Sequence, residues 1–261
     1  MDENWLDLSG SGLTELPPVN LAGVTRAYLD RNRFTRFPER LTKAPGLTQL
    51  SLYHNELETL PGSLWRLTGL RVLNLAANRL TSLSPEIGRL SELHTLDLGH
   101  NLLTALPDTL GALPGLTEYL YLSGNRLTTL PDSLCGLHRL RYLGATDNGL
   151  TALPGEIGAM SALRELRLYG NRLGTLPESI GDLTALRELH LRGNAITTLP
   201  ESITRLTELR LLDLRDNGLT ELPGGIAELP KLDKLDLRWN RYLREPGWLA
   251  GLEARGCVVL R

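Results

Sequence analysis

"LGTLPESIGDLTALRELHLRGN", residues 173–194, decides how the whole chain is read. Leu189 and Leu191 alternate with Glu188, His190 and Arg192, the two-residue period of a strand with one buried face. Upstream, Pro177 is followed by Ile180 and Leu183. That spacing suits a short helical or 3-10 segment whose first position tolerates a residue without an N–H. Asn194 closes the stretch, and its column recurs at 32, 55, 78, 101, 125, 148, 171, 194, 217 and 240. Every gap is 23 residues except 101 to 125, which is 24. Proline stands six residues after the asparagine at 38, 61, 107, 131, 154, 177, 200, 223 and 246; Ser84 interrupts that column, with Pro85 one place late.

A repeat of 20–29 residues with this leucine pattern is the signature of leucine-rich repeats. In this reading each L-x-L is a strand with its leucines inward, and the asparagine satisfies backbone groups where the chain turns, stacking into a ladder. Each buried leucine contributes roughly 1.5–3 kcal/mol. No repeat buries its faces alone, so a single domain over 1–261 is expected. Residues 1–31 read as an N-terminal cap opening with a strand at Trp5 and Leu6. Residues 32–240 are the repeats. Residues 241–261 read as a C-terminal cap with a helix-like "GWLAGLEARG" and a closing "CVVLR" strand.

The motif L-x-x-L-P-x-x-I-x-x-L-x-x-L-x-x-L-x-L-x-x-N resembles the 23-residue repeats of Ras-suppressor and scribble-type proteins and the repeat domains of bacterial effectors. The resemblance covers essentially the whole chain. It implies an α/β leucine-rich-repeat solenoid, a right-handed arc with a parallel β-sheet on the concave face and short helical or 3-10 segments on the convex face. It also implies a partner held on the concave side, with a small GTPase as one candidate. The catalytic ubiquitin-ligase domain of effector relatives has no counterpart here. Nor does the cysteine pair that flanks the repeats of extracellular relatives.

Bulk properties narrow the function. The formal charge is −2 and the pI about 6.2, against a nucleic-acid partner. No apolar run approaches the ~18 residues of a membrane span. "MDENWLDLSGSG" lacks the basic start and apolar core of a signal peptide, so a cytoplasmic chain is expected, with secretion by a signal-less route as the alternative. Arginine outnumbers lysine 25 to 3, consistent with a GC-rich bacterial source. Cys135 and Cys257 stand about five repeats apart, roughly 25 Å at the inter-strand spacing, too far for a disulfide. They read as small buried hydrophobes rather than nucleophiles. No P-loop, nucleophile elbow, C-x-x-C or H-E-x-x-H motif is present. No cofactor, metal or catalytic residue is expected.

Function then lies in the outward strand positions. Six of the seven tyrosines fall in these columns. Tyr53, Tyr119, Tyr121, Tyr142 and Tyr169 are the aromatic candidates, with Trp239 beside the last column. Arg167 stands among them, and Arg192, Arg215 and Arg238 form a row about 4.8 Å apart. Tyrosine and arginine are enriched at binding hot spots, though aromatics also suit exposed strands on propensity alone. The arginine row reads either as an ion-pair lattice with Asp213 and Asp236 or as a docking row for an acidic or phosphorylated segment. Glu165 and Glu188 read as members of a salt-bridge ladder.

The 24-residue gap falls in "LTEYLYLSGN", residues 116–125. An extra residue in a strand makes a bulge that re-aims side chains, which would turn Tyr119 and Tyr121 together to the concave side. Gly144 would leave a gap beside Tyr121, and Ala145 replaces a core leucine in the next repeat. The interruption is either the centre of the binding face or neutral slippage in a repetitive gene. The expected function is a non-catalytic adaptor, monomeric, binding a protein or peptide on the concave face. The alternatives are a secreted effector binding a host protein and the recognition subunit of a larger enzyme complex.

Overall fold

The computed structural model describes residues 4–261; Met1 to Glu3, part of the expected N-terminal cap, lie outside the described residues. Each repeat supplies one three-residue strand: β1 Trp5–Asp7, β2 Arg26–Tyr28, β3 Gln49–Ser51, β4 Val72–Asn74, β5 Thr95–Asp97 and β6 Tyr119–Tyr121. The series continues through β7 Tyr142–Gly144, β8 Glu165–Arg167, β9 Glu188–His190, β10 Leu211–Asp213, β11 Lys234–Asp236 and β12 Val258–Leu260. They form one parallel, unclosed sheet in chain order. Short 3-10 segments such as Glu178–Asp182 return the chain between strands. The single α-helix among the described residues, α1 Leu249–Ala254, falls within "GWLAGLEARG". No helix there is long and apolar enough to cross a membrane.

The leucine columns account for the core. Leu189 from the strand, Leu191 just after it, Leu183 and Leu186 before it and Ile180 from the 3-10 segment are all fully buried, and equivalent residues stack on them from neighbouring repeats. Three-residue strands are too short to stand alone, so the continuous stack of side chains holds the array together.

The asparagine works through the backbone, and the ladder it builds differs from a simple Asn-on-Asn stack. Asn101 Nδ2 donates to the Leu75 carbonyl of the preceding repeat and to the Leu98 carbonyl of its own, both at 3.0 Å. Its Oδ1 accepts from the Leu80 amide at 3.0 Å. Each asparagine thus ties two successive turns, and no ladder step runs from one asparagine side chain to another. The residue before it adopts positive φ, as Ala77 (54°), His100 (52°) and Gly193 (65°) do, which turns the chain away from the sheet.

Most of the prolines sit at the cap, one place earlier than expected. Pro107, Pro131, Pro177 and Pro200 precede their 3-10 segments, and each carbonyl accepts the amide three residues on. The cap position needs an acceptor and a fixed φ but no donor, which proline meets. Where Ser84 takes that place, its hydroxyl caps the Glu86 amide and Pro85 moves inside the segment. Adjacent 3-10 segments pack with almost no space between backbones. A Cβ on Gly181 would lie 2.2 Å from the Ser202 carbonyl oxygen.

Candidate functional site

The long repeat puts no bulge in β6. Thr95 pairs with Tyr119, Leu96 with Leu120 and Asp97 with Tyr121, and the register continues from Tyr119 to Tyr142 and from Tyr121 to Gly144. The extra residue is absorbed ahead of the strand. In an ordinary repeat one carbonyl accepts two amides of the next, as Thr48 does from Arg71 and Val72. After the long repeat the two amides use different acceptors: Arg141 donates to Thr117 and Tyr142 to Glu118, both at 3.1 Å. Thr117 is therefore the added residue. Burial of Leu116, Leu120 and Leu122 fixes the strand, so the slack falls in its less buried lead-in. Arg141 then reaches both carboxylate oxygens of Glu118, at 2.9 and 3.1 Å, across the lead-in.

Tyr119 and Tyr121 flank the buried Leu120 and so share the outer face of the sheet. Their rings are nearly parallel, 7° apart, with centroids 5.8 Å apart. Tyr142 joins them at 4.8 Å from Tyr121 and 5.7 Å from Tyr119. Such pairs contribute roughly 0.5–1.5 kcal/mol each beyond area burial. The expected gap at Gly144 is filled. A Cβ there would meet the Cε1 and Oη atoms of Tyr142 at 2.9 Å, so the Tyr142 ring lies over the glycine. Burial pushes the Tyr142 hydroxyl up to about 12 and raises that of Tyr121 as well, so both rings stay neutral hydrogen-bond donors. Ala145 beneath is fully buried.

Cations border this centre. The Arg167 guanidinium stands 5.7 Å from the Tyr142 centroid, and its Nε donates to Glu165. Arg192 lies 5.5 Å from the Tyr169 centroid. The other two arginines of the row are held by carboxylates of their own strands. Arg215 Nη2 reaches Asp213 at 2.6 Å, and Arg238 Nη2 reaches Asp236 at 2.7 Å. Asp236 also stands 3.3 Å from Arg215 Nε, which makes a four-membered ion lattice. Burial opposes ionisation of Asp213, but the hydrogen bonds from Arg215 outweigh it and hold the carboxyl below its ordinary value.

The remaining candidates lie apart from the tyrosine trio. Tyr53 packs edge-on against His54 at 5.8 Å, three repeats before β6. Trp239 stands by Arg238 at 5.8 Å toward the C-terminal end and is 64% exposed. Tyr169 contacts Arg192 without joining the cluster of three rings. Asp97, not among the residues singled out from the sequence, sits beside Tyr121 with a carboxyl raised by burial, partly offset by the Gly99 amide. Its place in an outward column next to a tyrosine was the available signal.

Among the described residues, Glu165, Glu188 and His190 form the one grouping of three metal-type ligands, with donor atoms within 4.8 Å of one another. One of the three is engaged from outside the grouping, and the other two contact each other. Arg167 bonds Glu165, and His190 Nε2 stands 3.0 Å from Glu188. Both cysteines are free and buried, Cys135 in a 3-10 segment and Cys257 just before β12, and burial raises both thiols.

Comparison with known proteins agrees with the architecture. A family described as "Leucine rich repeat" matches residues 22–80, 68–118, 91–150 and 146–196, and a "Leucine-rich repeat region" matches 178–254. No curated protein matches the chain. A leucine-rich repeat protein of Leptospira interrogans is 27% identical with a TM-score of 0.57, covering 91% of this chain and 72% of its own. The ectodomain of the Arabidopsis thaliana receptor kinase GASSHO1/SCHENGEN3, solved in complex with CASPARIAN STRIP INTEGRITY FACTOR 2, is 33% identical with a TM-score of 0.74 over 83% of this chain. The plant peptide hormone receptor RGFR1, in complex with RGF2, is 25% identical with a TM-score of 0.67 over 91% of this chain. The chain spans 28% and 47% of those two receptors. With repeats matched from residue 22 to residue 254, the chain belongs to the leucine-rich repeat family.

Proposed function

We propose that the chain is a non-catalytic binding module that holds a protein or peptide partner on its sheet face, centred on Tyr119, Tyr121 and Tyr142. The observation that carries this reading is the tyrosine trio itself. Three aromatic rings are gathered on the solvent side of a sheet, one of them laid over Gly144, with Tyr119 43% exposed. Large rigid aromatics with a polar tip bury much area at little entropic cost, and packing against one another pre-organises them. Two similar structures carry bound partners, one of them on a peptide hormone receptor, which supports a protein or peptide occupant. In this reading the chain is a cytoplasmic monomer acting as adaptor or scaffold.

The test is affinity capture from lysate of the source organism with wild type and a Tyr119→Ala/Tyr121→Ala/Tyr142→Ala variant that circular dichroism shows to be folded. A partner retained by wild type and lost by the variant supports the reading. A partner held equally by both moves the site off the sheet face.

A further inference from the structure

On β5 to β9, the strands that carry the trio and its flanks, most outward charges are paired within their own strand. Glu165 is bonded to Arg167, and Glu188 to His190. Two charges differ. Asp97 accepts one hydrogen bond, from the Gly99 amide at 2.9 Å, and has no basic partner in ion-pair range among the described residues. Arg192 stacks on Tyr169 and likewise has no carboxylate in range there. Between them lie Tyr121, Tyr142 and Tyr169.

The surface is therefore polar end to end: an unpaired anion, an aromatic middle, an unpaired cation. Asp97 and Tyr121 are register partners, so a cation reaching the carboxylate also meets a tyrosine ring. Asp97 and Arg192 are four strands apart, roughly 19 Å at the inter-strand spacing and about 20 Å once the two-residue offset between columns is added. An extended chain covers that in about six residues at ~3.3 Å each. The outward columns are only about four residues deep along each strand, roughly 13 Å, which suits one extended segment rather than a broad globular face.

We propose that the occupant of the sheet face is an extended peptide, lying across the strands, that carries a basic side chain and an acidic group about six residues apart. The base sits on Asp97 beside Tyr121, the acid on Arg192, and apolar side chains lie on the tyrosine centre. This rests on the sheet face being the binding face.

A random dodecapeptide phage library panned against wild type, Asp97→Asn, Arg192→Gln and the triple tyrosine variant tests it. Wild type should enrich peptides with Lys or Arg and Asp or Glu roughly five to seven positions apart. Asp97→Asn should lose the basic preference alone, and Arg192→Gln the acidic preference alone. For the synthesised consensus peptide, each substitution should weaken binding about tenfold, the scale of one charge-assisted hydrogen bond. Asp97→Asn should cost nothing further once the peptide's basic residue is replaced by glutamine. Enriched peptides without the charge pair, or a charge pair unchanged in both single variants, overturn the proposal while leaving the binding face standing. No enrichment over the triple tyrosine variant overturns the binding face itself.

Discussion

At the scale of single residues, the asparagine column does the most for stability. Asn101 satisfies two carbonyls and one amide drawn from two repeats, all buried. Asn101→Ala leaves the Leu80 amide without its acceptor, while the Leu75 and Leu98 carbonyls keep their bonds from Asn78 and Asn125, so a loss of roughly 1–3 kcal/mol in urea denaturation is expected. Asp213 gives the acid limb of stability. Its folded carboxyl lies below its ordinary value, so the unfolded chain takes up the proton more readily. The contribution is present above the unfolded value of about 3.9 and is lost as the pH falls through the lower folded one. The drop in stability from neutral pH to about pH 3 should therefore be smaller in Asp213→Asn than in wild type, measured by denaturation at each pH. The asparagine and leucine columns were readable because a repeat displays the same requirement ten times over. The fit of Tyr142 over Gly144 was not, since it depends on which way one ring leans, and no spacing encodes that.

At the scale of elements, the instructive case is the 24-residue repeat. Counting residues located an insertion, and strand chemistry suggested a bulge at the tyrosines. The ladder instead keeps its register through β5, β6 and β7, and Thr117 takes up the extra length ahead of the strand. A parallel strand held on both sides and by buried leucines is stiffer than a partly exposed lead-in, so the insertion settles where little is lost. It follows that deleting Thr117 should leave the far-ultraviolet circular dichroism and the melting temperature close to wild type. Deleting Tyr119 should lower the melting temperature, because it forces a new residue into the strand. Equal melting temperatures for the two deletions would contradict this placement. The proline shift has a similar cause: six-residue spacing marked the column, but only the carbonyl it offers to the residue three positions on placed it outside the 3-10 segment.

At the scale of the molecule, one sheet and one continuous leucine core join every repeat to its neighbours. Unfolding should be cooperative across the array. Fluorescence changes of Trp65 and Trp248, read in variants that retain one or the other, should fall on one denaturation curve; two separated transitions would show independent halves. Over this uniform frame the outer face is not uniform: an aromatic centre lies between a lone Asp97 and a lone Arg192, with an ion lattice beyond. The central claim is that this centre is where a partner binds. It is tested most directly by the affinity of wild type and Gly144→Ala for one bound partner, measured by titration calorimetry. The added methyl would meet only the tip of the Tyr142 ring, which can swing away, so the fold is retained while the trio is broken. The account predicts a melting temperature lower by only a few degrees, the scale of two lost ring contacts, and binding weaker by about tenfold or more, the cost of displacing one aromatic anchor at a hot spot. Equal affinity in a variant shown to have a displaced Tyr142 ring would contradict it.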